Sequence, residues 1–247
     1  MGSAAGAGTK GSLGAKLSGV AVAVGLLLFL AGFGWAAVSY RPYTVPTSSM
    51  APTIDAGDRV LAQRVDGADV RRGDVVVFSD RTWVTGADVV KRVVAVGGDT
   101  VACCTDGKLT VNGKPVDEPY LPEGSPAEIK GFPTVTVPEG RLFLLGDERQ
   151  GSLDSTAHIT DAAEGTVSRG AVAARVDSVI WPMKGMLARP TGFQALGALS
   201  EPGPLPLIEL MIVAGAVLVL GGAAYGPVAG LVGRSRARTE PEPVRVG

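Results

Sequence analysis

The sequence predicts a mostly β fold, in which a β-rich domain lies between an N-terminal and a C-terminal transmembrane helix. Two long stretches carry no charge, and the residues between them are charged, punctuated by Gly and Pro, and rich in short β-branched runs. The predicted order is a tail over residues 1–16, a span over 17–38, a domain over 41–204, a second span over 208–232 and a tail over 233–247.

The two uncharged stretches cover residues 17–38 and 210–232. Each is long enough to cross a bilayer, which takes about 20 residues of helix. We expect Pro227 to kink or end the second one, because proline removes a helical hydrogen bond. The first stretch exceeds the apolar region of a cleaved secretory signal, which is about 7 to 15 residues long. It is therefore predicted to be retained as an anchor.

Basic residues near the spans predict the orientation of the chain. Lys10 and Lys16 precede the first span, and Arg234, Arg236 and Arg238 follow the second. Basic residues favour the cytoplasmic side, so both tails are expected there and the domain outside. Residues 41–204 hold 17 basic and 21 acidic side chains, a net charge of −4 without a basic stripe. This balance excludes nucleic acid as an expected partner.

The domain has the pattern of a sheet protein. Short runs rich in β-branched residues are separated by turn residues, which predicts strands. They cover residues 59–62, 75–78, 89–96, 109–111, 142–145 and 171–180. Asn112-Gly113 predicts a tight hairpin, because a type I′ turn needs positive φ at both central positions.

The two cysteines, Cys103 and Cys104, are adjacent and would lie in an oxidising compartment. A trans peptide holds neighbouring Cα atoms about 3.8 Å apart, closer than disulfides prefer. A vicinal disulfide, two free thiols and an intermolecular bond therefore all remain open. Two cysteines and one histidine predict no metal site, and no cofactor is expected.

The first candidate chemistry is a serine with an amine base. Ser49 lies in a run of hydroxyl residues just after the first span, and Lys91 lies within a valine-rich strand. A serine hydroxyl needs a neighbour that takes its proton. A lysine in an apolar setting can be that neighbour, because burial disfavours its charged form and lowers its pKa. Next to a membrane anchor, this pair indicates peptide-bond cleavage at a membrane surface.

Four stretches, in this order, resemble the conserved boxes of the bacterial type I signal peptidases. They are TSSMAPT at 47–53, RGDVVVF at 72–78, KRVVAVGGD at 91–99 and GDERQGSLDS at 146–155. The first is similar to the family pattern Ser-x-Ser-Met-x-Pro-Thr, and the last to Gly-Asp-Asn-Arg-x-x-Ser-x-Asp-Ser. The resemblance extends over nearly all of the domain and implies a signal-peptidase-like fold.

The resemblance also assigns roles residue by residue. It implies that Ser49 is the nucleophile and Lys91 the general base, with the hydroxyl of Ser152 orienting the lysine amine. The hydroxyl of Thr47 and the backbone N–H of Ser49 would form the oxyanion hole. Substrates would carry small side chains at the first and third residues before the cut, in shallow pockets to which Met50 contributes.

Three further residues are expected to support the structure of the site. Arg92 should lie on the other face of its strand from Lys91 and pair with Asp147 or Asp154. The sequence departs from the family pattern nearby, with Glu148 in place of Asn and Thr156 in place of Arg. An ion pair of Asp154 with that arginine is therefore not available here.

Alternatives remain open for the base, the function and one apolar segment. His158, the sole histidine, could form a triad with Ser49 and Asp154. The chain could instead be a self-cleaving Ser/Lys protease of the repressor type, or an anchored domain that binds exported chains without catalysis. Residues 181–187 are apolar and either dip into the outer leaflet or pack in the core.

The resemblance implies a membrane-bound serine endopeptidase, a hydrolase that cleaves N-terminal signal peptides from exported preproteins with a Ser/Lys dyad. It would cross the bacterial cell membrane twice, with its catalytic domain on the extracytoplasmic face. Its partners would be preproteins and the lipid bilayer. The second span would be either a simple anchor or a docking surface for the protein export machinery.

Overall fold

The computed structural model describes residues 8–122 and 131–237. Contacts divide the chain into a unit over Ser39–Gly203 and a second unit formed by the segments before and after it. Residues 1–7 and 238–247 of the predicted tails lie outside the described residues, as do Arg238 and the side chains of Lys10, Arg234 and Arg236.

The second unit contains two long helices, α1 at Gly8–Ser39 and α2 at Leu205–Ala237. Within them, Gly14–Ser39 and Leu205–Tyr225 are long and apolar enough to cross a membrane, by length and composition. These helices fit a membrane protein. Helix α2 continues through Pro227, so this proline does not end the helix, and the alternative of a kink stays a prediction. Membrane helices tolerate proline where neighbouring groups satisfy the freed carbonyl.

Small residues bring the two helices together. A Cβ atom on Gly25 would lie 2.8 Å from the carbonyl oxygen of Gly215, too close to be accommodated without a shift. The hydroxyl of Ser18 donates a hydrogen bond of 2.7 Å to the carbonyl of Gly222. Close packing at glycine and hydrogen bonds from serine are typical of associating membrane helices. Helix α2 therefore serves at least as a packing partner for α1.

Twelve strands are found among the described residues of Ser39–Gly203, and the pairs between them are antiparallel. They are β1 Tyr40–Thr44, β2 Arg59–Gln63, β3 Val75–Phe78, β4 Val89–Val96, β5 Thr100–Thr105, β6 Lys108–Val111, β7 Lys114–Pro115, β8 Val135–Thr136, β9 Arg141–Leu145, β10 Thr166–Ser168, β11 Val172–Trp181 and β12 Gly185–Met186. The larger sheet has the order β1-β2-β11-β3-β4-β9-β10, with β12 on β11, and the smaller sheet has the order β7-β6-β5-β8.

The predicted mostly β fold is confirmed, and each of the six predicted strands corresponds to an observed one within one residue at either end. The hairpin prediction is also confirmed, because Asn112 and Gly113 have φ values of 53° and 71° between β6 and β7. Strand β5 contains a disulfide between Cys103 and Cys104, so the structure has the vicinal bond among the alternatives left open.

The centre of the larger sheet is buried on both faces. Alternate residues of β3 pack into two different hydrophobic clusters, with Val75 in one and Val76 in the other. Strand β4 pairs with β3 so that Lys91 lies opposite Val76 and Arg92 opposite Val75. The sheet therefore places two consecutive cationic residues in its covered centre, where each needs a specific environment.

Candidate active site

A loop between β1 and β2 carries Ser49. It is held by an isolated bridge between Met50 and Ile54, and both of these side chains are fully buried. A backbone hydrogen bond of 2.9 Å from Ala51 to Ser48 closes the turn around Ser49. Because Met50 is anchored in the core, the preceding serine is held at a defined position while it stays partly accessible.

Lys91 reaches this loop from strand β4. Its Nζ atom lies 2.7 Å from the Oγ atom of Ser49, across 42 positions of sequence. The residue is only 4% exposed. The structure thus brings the two predicted dyad residues into direct hydrogen-bond contact.

Burial lowers the pKa of Lys91 from 10.5 to about 8, while the negative charges of Asp154 and Asp147 act in the opposite direction. With such a pKa, about one tenth of the amine is neutral at pH 7, against less than about one thousandth for an ordinary lysine. Only the neutral amine can accept a proton from a hydroxyl. The site therefore supplies a usable base near neutral pH.

The other two predicted hydroxyls lie on either side of Ser49. Thr47 is exposed and donates a hydrogen bond of 3.3 Å from its Oγ1 to the Oγ of Ser49. The Oγ of Ser152 is buried, and it has no hydrogen-bond partner among residues 8–122 and 131–237. A Cβ atom on Gly146 would lie 2.2 Å from this Oγ and 2.5 Å from the carbonyl oxygen of Ser49. Ser152 and the backbone of Ser49 therefore both border the same glycine, and the predicted bond to Lys91 is not formed.

The carboxylate of Asp154 is fully engaged without an arginine. It accepts hydrogen bonds from the backbone N–H of Gly146 at 2.9 Å and from the N–H and hydroxyl of Thr156 at 3.1 and 2.8 Å. Thr156 is the residue found where the family pattern has arginine. This substitution keeps the buried carboxylate satisfied, because a threonine supplies two donors to the same oxygen.

Arg92 pairs with Asp147 rather than with Asp154. Its Nε and Nη2 atoms donate bonds of 2.8 and 2.6 Å to the two carboxylate oxygens, and both side chains are almost completely buried. The hydroxyl of Thr53 donates to the same carboxylate at 2.5 Å. Burial lowers the pKa of Arg92, but the charge and hydrogen bonds of Asp147 outweigh it and raise the pKa above its usual value.

Sequence reasoning missed three further members of this buried network. Arg149 donates bonds of 2.8 and 2.5 Å to the two carboxylate oxygens of Glu118, and its Nε donates to the carbonyl of Gly146 at 3.1 Å. The guanidinium of Arg92 lies 3.9 Å from the centre of the Tyr120 ring. No local pattern signals these contacts, because Glu118 and Arg149 are 31 positions apart.

His158 is engaged elsewhere. Its Nδ1 atom lies 2.8 Å from a carboxylate oxygen of Asp161, and its ring stacks on Trp83 with 4.5 Å between centroids. The hydrogen bonds of Asp154 go to other groups, as described above. The alternative triad of Ser49, His158 and Asp154 is therefore not assembled in the described residues.

A cavity of about 310 Å³ opens beside Ser49 and Lys91. Its wall contains the apolar side chains Val45, Val77, Val84, Val90 and Leu153. Met50, which we expected to line the substrate pocket, is fully buried instead and packs in the cluster that contains Val45 and Val77. It supports the wall from behind, because its side chain anchors the loop in the core.

The comparison with known proteins concerns the region that contains all of these residues. The sequence profile described as Signal peptidase, peptidase S26 matches residues 17–181. The chain belongs to this family. Signal peptidase I of Mycobacterium tuberculosis strain H37Rv is 36% identical over 191 residues, covering 58% of this chain and 65% of that protein. This S26 family member thus spans slightly less than two thirds of the length of that mycobacterial relative.

Two further relatives extend the comparison. Signal peptidase I of Bacillus licheniformis is 36% identical over 155 residues, covering 59% of this chain and 79% of that protein. A crystal structure of a signal peptidase I from Enterococcus faecalis V583 matches with 28% identity and a TM-score of 0.35, covering 48% of this chain and 96% of that chain.

Proposed function

We propose that this S26 family member is a membrane-bound serine endopeptidase that removes N-terminal signal peptides from exported preproteins. The observation that carries the proposal is the 2.7 Å contact between Ser49 Oγ and Lys91 Nζ, together with the lowering of the lysine pKa to about 8. A serine with a buried, partly neutral amine at hydrogen-bond distance satisfies the requirements of an activated nucleophile.

The proposed reaction uses Lys91 in both steps. Ser49 attacks the scissile carbonyl carbon while the neutral amine of Lys91 takes the hydroxyl proton. The negative charge on the carbonyl oxygen is stabilised by the hydroxyl of Thr47 and the backbone N–H of Ser49. The lysine then gives its proton to the departing amine. A water molecule, deprotonated by the same amine, hydrolyses the acyl-enzyme and restores Ser49.

The cavity beside the dyad fits the residues before the cut. Apolar side chains form much of its wall, and its lining also includes the charged residues Asp88 and Lys91. The apolar part favours small uncharged side chains, because a charged group packed against it would lose its hydration. Strand β1 lies at one end of the larger sheet and leads towards Ser49, and Tyr43 and Thr44 at its end line the cavity. An extended substrate would pair with this edge through main-chain hydrogen bonds, which make few demands on sequence.

The proposed location is the cell membrane, with the catalytic domain on the extracytoplasmic face and both tails in the cytoplasm. Support comes from the two apolar helices and from the hairpin of β11 and β12. In this hairpin Trp181 and Met183 are 62% and 80% exposed, and Met186 is exposed as well. Exposed apolar side chains of this kind favour contact with lipid. The second span would serve either as a simple anchor or as a docking surface for the protein export machinery.

Cleavage of a preprotein by the detergent-purified full chain tests the function. Ser49→Ala and Lys91→Ala should each lower kcat by more than about 10³-fold, as the loss of a nucleophile or its base does in serine hydrolases. Lys91→Arg should be equally inactive, because an arginine keeps the charge but cannot become neutral. His158→Ala should cleave at the normal rate. Activity that survives Lys91→Ala would remove the proposed base.

A further inference from the structure

A second cavity, of about 460 Å³, lies on the far side of the segment 151–153. Its lining includes Phe132, Pro133, Gln150, Thr156, Ala157 and Ile159. Gly151 and Leu153 line both this cavity and the one that contains Ser49 and Lys91. The two cavities are therefore neighbours that share one wall, which we call the ridge 151–153.

We propose that the second cavity binds the first residues of the mature protein, those that follow the scissile bond. The proposal rests on the proposed function and adds a binding site to it. A bound preprotein places its scissile carbonyl at Ser49, so the chain must continue away from the dyad in two directions. The first cavity takes the residues before the cut, and the shared ridge leads from the dyad directly to the second.

The ridge itself permits a chain to cross. Gly151 is exposed and has no side chain, so at this position of the ridge no side chain stands between the two cavities. A Cβ atom at this position would lie 2.5 Å from a carboxylate oxygen of Glu148. An extended chain advances about 3.3 Å per residue, and the two cavities share Gly151 and Leu153, so the residues next to the cut are the ones that would cross the ridge. The leaving amine would remain beside Lys91, which has to protonate it.

The second cavity also has its own chemistry. Gln150 and Thr156 bring polar side chains, while Phe132 and Ile159 provide an apolar floor. The one charged lining residue among those described is Arg149, and its guanidinium is held by Glu118. The lining therefore offers no free charge to a ligand. Neutral polar or small apolar residues should be preferred just after the cut, because a charged side chain would be desolvated without a partner.

Two substrates with the same sequence before the cut separate the two cavities. One is a peptide that continues with five mature residues, and the other is the methyl ester of the segment before the cut. The ester has no mature residues, so it reports on the first cavity and the dyad alone. The measured quantity is the ratio of kcat/KM for the peptide to kcat/KM for the ester.

Three matched alanine-to-phenylalanine variants provide the test. Ala157 is exposed and lines the second cavity, Ala87 is exposed and lines the first, and Ala68 is exposed and lines neither. We expect Ala157→Phe to lower the peptide-to-ester ratio by about tenfold, in the range of specificity that filling a small pocket gives. Ala87→Phe should lower kcat/KM for both substrates, and Ala68→Phe should match the unmodified chain. An unchanged ratio in Ala157→Phe would overturn the proposal.

A binding measurement does not depend on cleavage. A labelled pentapeptide with the sequence of the mature N-terminus is titrated into the full chain carrying Ser49→Ala, up to millimolar concentration. Binding that weakens about tenfold on adding Ala157→Phe but not Ala68→Phe supports the site. Binding that Ala157→Phe leaves unchanged, or no binding at all, contradicts it. Because no bond is broken, this result stands even if the unmodified chain cleaves no preprotein.

Discussion

Lys91 and Arg92 are consecutive residues of β4, and both are almost completely buried. Their surroundings nevertheless shift their pKa values in opposite directions. Arg92 forms a salt bridge with the carboxylate of Asp147, and the pKa of Arg92 is raised. Lys91 contacts the neutral hydroxyl of Ser49, and burial lowers its pKa to about 8. Burial is common to both residues, and the salt bridge with Asp147 is what raises the pKa of Arg92 while the pKa of Lys91 is lowered.

The two carboxylates near Lys91 accept hydrogen bonds from other groups. Asp147 is held by Arg92 and Thr53, and Asp154 by Gly146 and Thr156. A carboxylate free to contact Lys91 would favour its charged form and raise its pKa. The hydrogen bonds of both acids go to other groups, and burial lowers the pKa of Lys91 although the two negative charges act to raise it.

The largest effect on stability is expected when the salt bridge of Arg92 with Asp147 is broken. Asp147→Ala leaves the guanidinium of Arg92 buried without its counter-charge, which should lower the free energy of unfolding by about 3–5 kcal/mol. Chemical denaturation of the full chain in detergent measures it. Lys108→Ala is the control, because it breaks the exposed pair with Asp117 and should leave the denaturation midpoint unchanged. Equal midpoints for both variants would contradict a structural role of the buried pair.

Replacing Lys91 should change the free energy of unfolding in the opposite direction. Lys91→Met removes a buried amine whose charged form is disfavoured by burial, and it should raise the free energy of unfolding at pH 7 by about 3 kcal/mol. Between pH 8 and 10.5 the unfolded chain binds more protons than the folded one, so the unmodified protein gains stability as the pH rises. The advantage of the variant should therefore shrink over this range. A variant less stable than the unmodified chain at pH 7 would refute this account.

A smaller effect is expected from Asp154→Asn. The charge of Asp154 raises the pKa of Lys91, so its removal should shift the pH profile of kcat/KM to lower pH. The amide oxygen can still accept hydrogen bonds from Gly146 or Thr156, so cleavage should fall by less than about 10²-fold. Complete loss of activity with an intact fold would show that the carboxylate itself is required.

Much of the sheet could be predicted because its strands are locally distinctive. β3 and β4 are dominated by valine, and their predicted bounds match those observed. β1 was missed because it contains Pro42 and directly follows the apolar helix, and β5 because two cysteines interrupt its pattern. The two-residue strand β8 is defined by its pairing with β5, which a local window does not contain. Strand β12 is too short to show a pattern of its own, whereas β7 directly follows the predicted Asn112-Gly113 turn.

The candidate site likewise contains residues that local motifs predict and contacts that they do not. Ser49 and Lys91 were identified from four ordered motifs, and the fold brings them within 2.7 Å. The salt bridge between Glu118 and Arg149 joins two segments that share no motif, so only the folded structure reveals it. The resemblance implied that Met50 contributes to the substrate pockets, but its side chain is fully buried and packs in the hydrophobic core. The motif alone does not show how the loop packs on the sheet.

Titration of Lys91 in the full chain tests the central claim most directly. The Cε resonance of labelled lysine that disappears in Lys91→Arg identifies the residue, and its midpoint gives the pKa. The account predicts a midpoint near pH 8, with kcat/KM for a preprotein rising over the same range as the amine loses its proton. A lysine that stays charged up to about pH 10.4, the ordinary lysine pKa, while the chain still cleaves its substrate at neutral pH would contradict it.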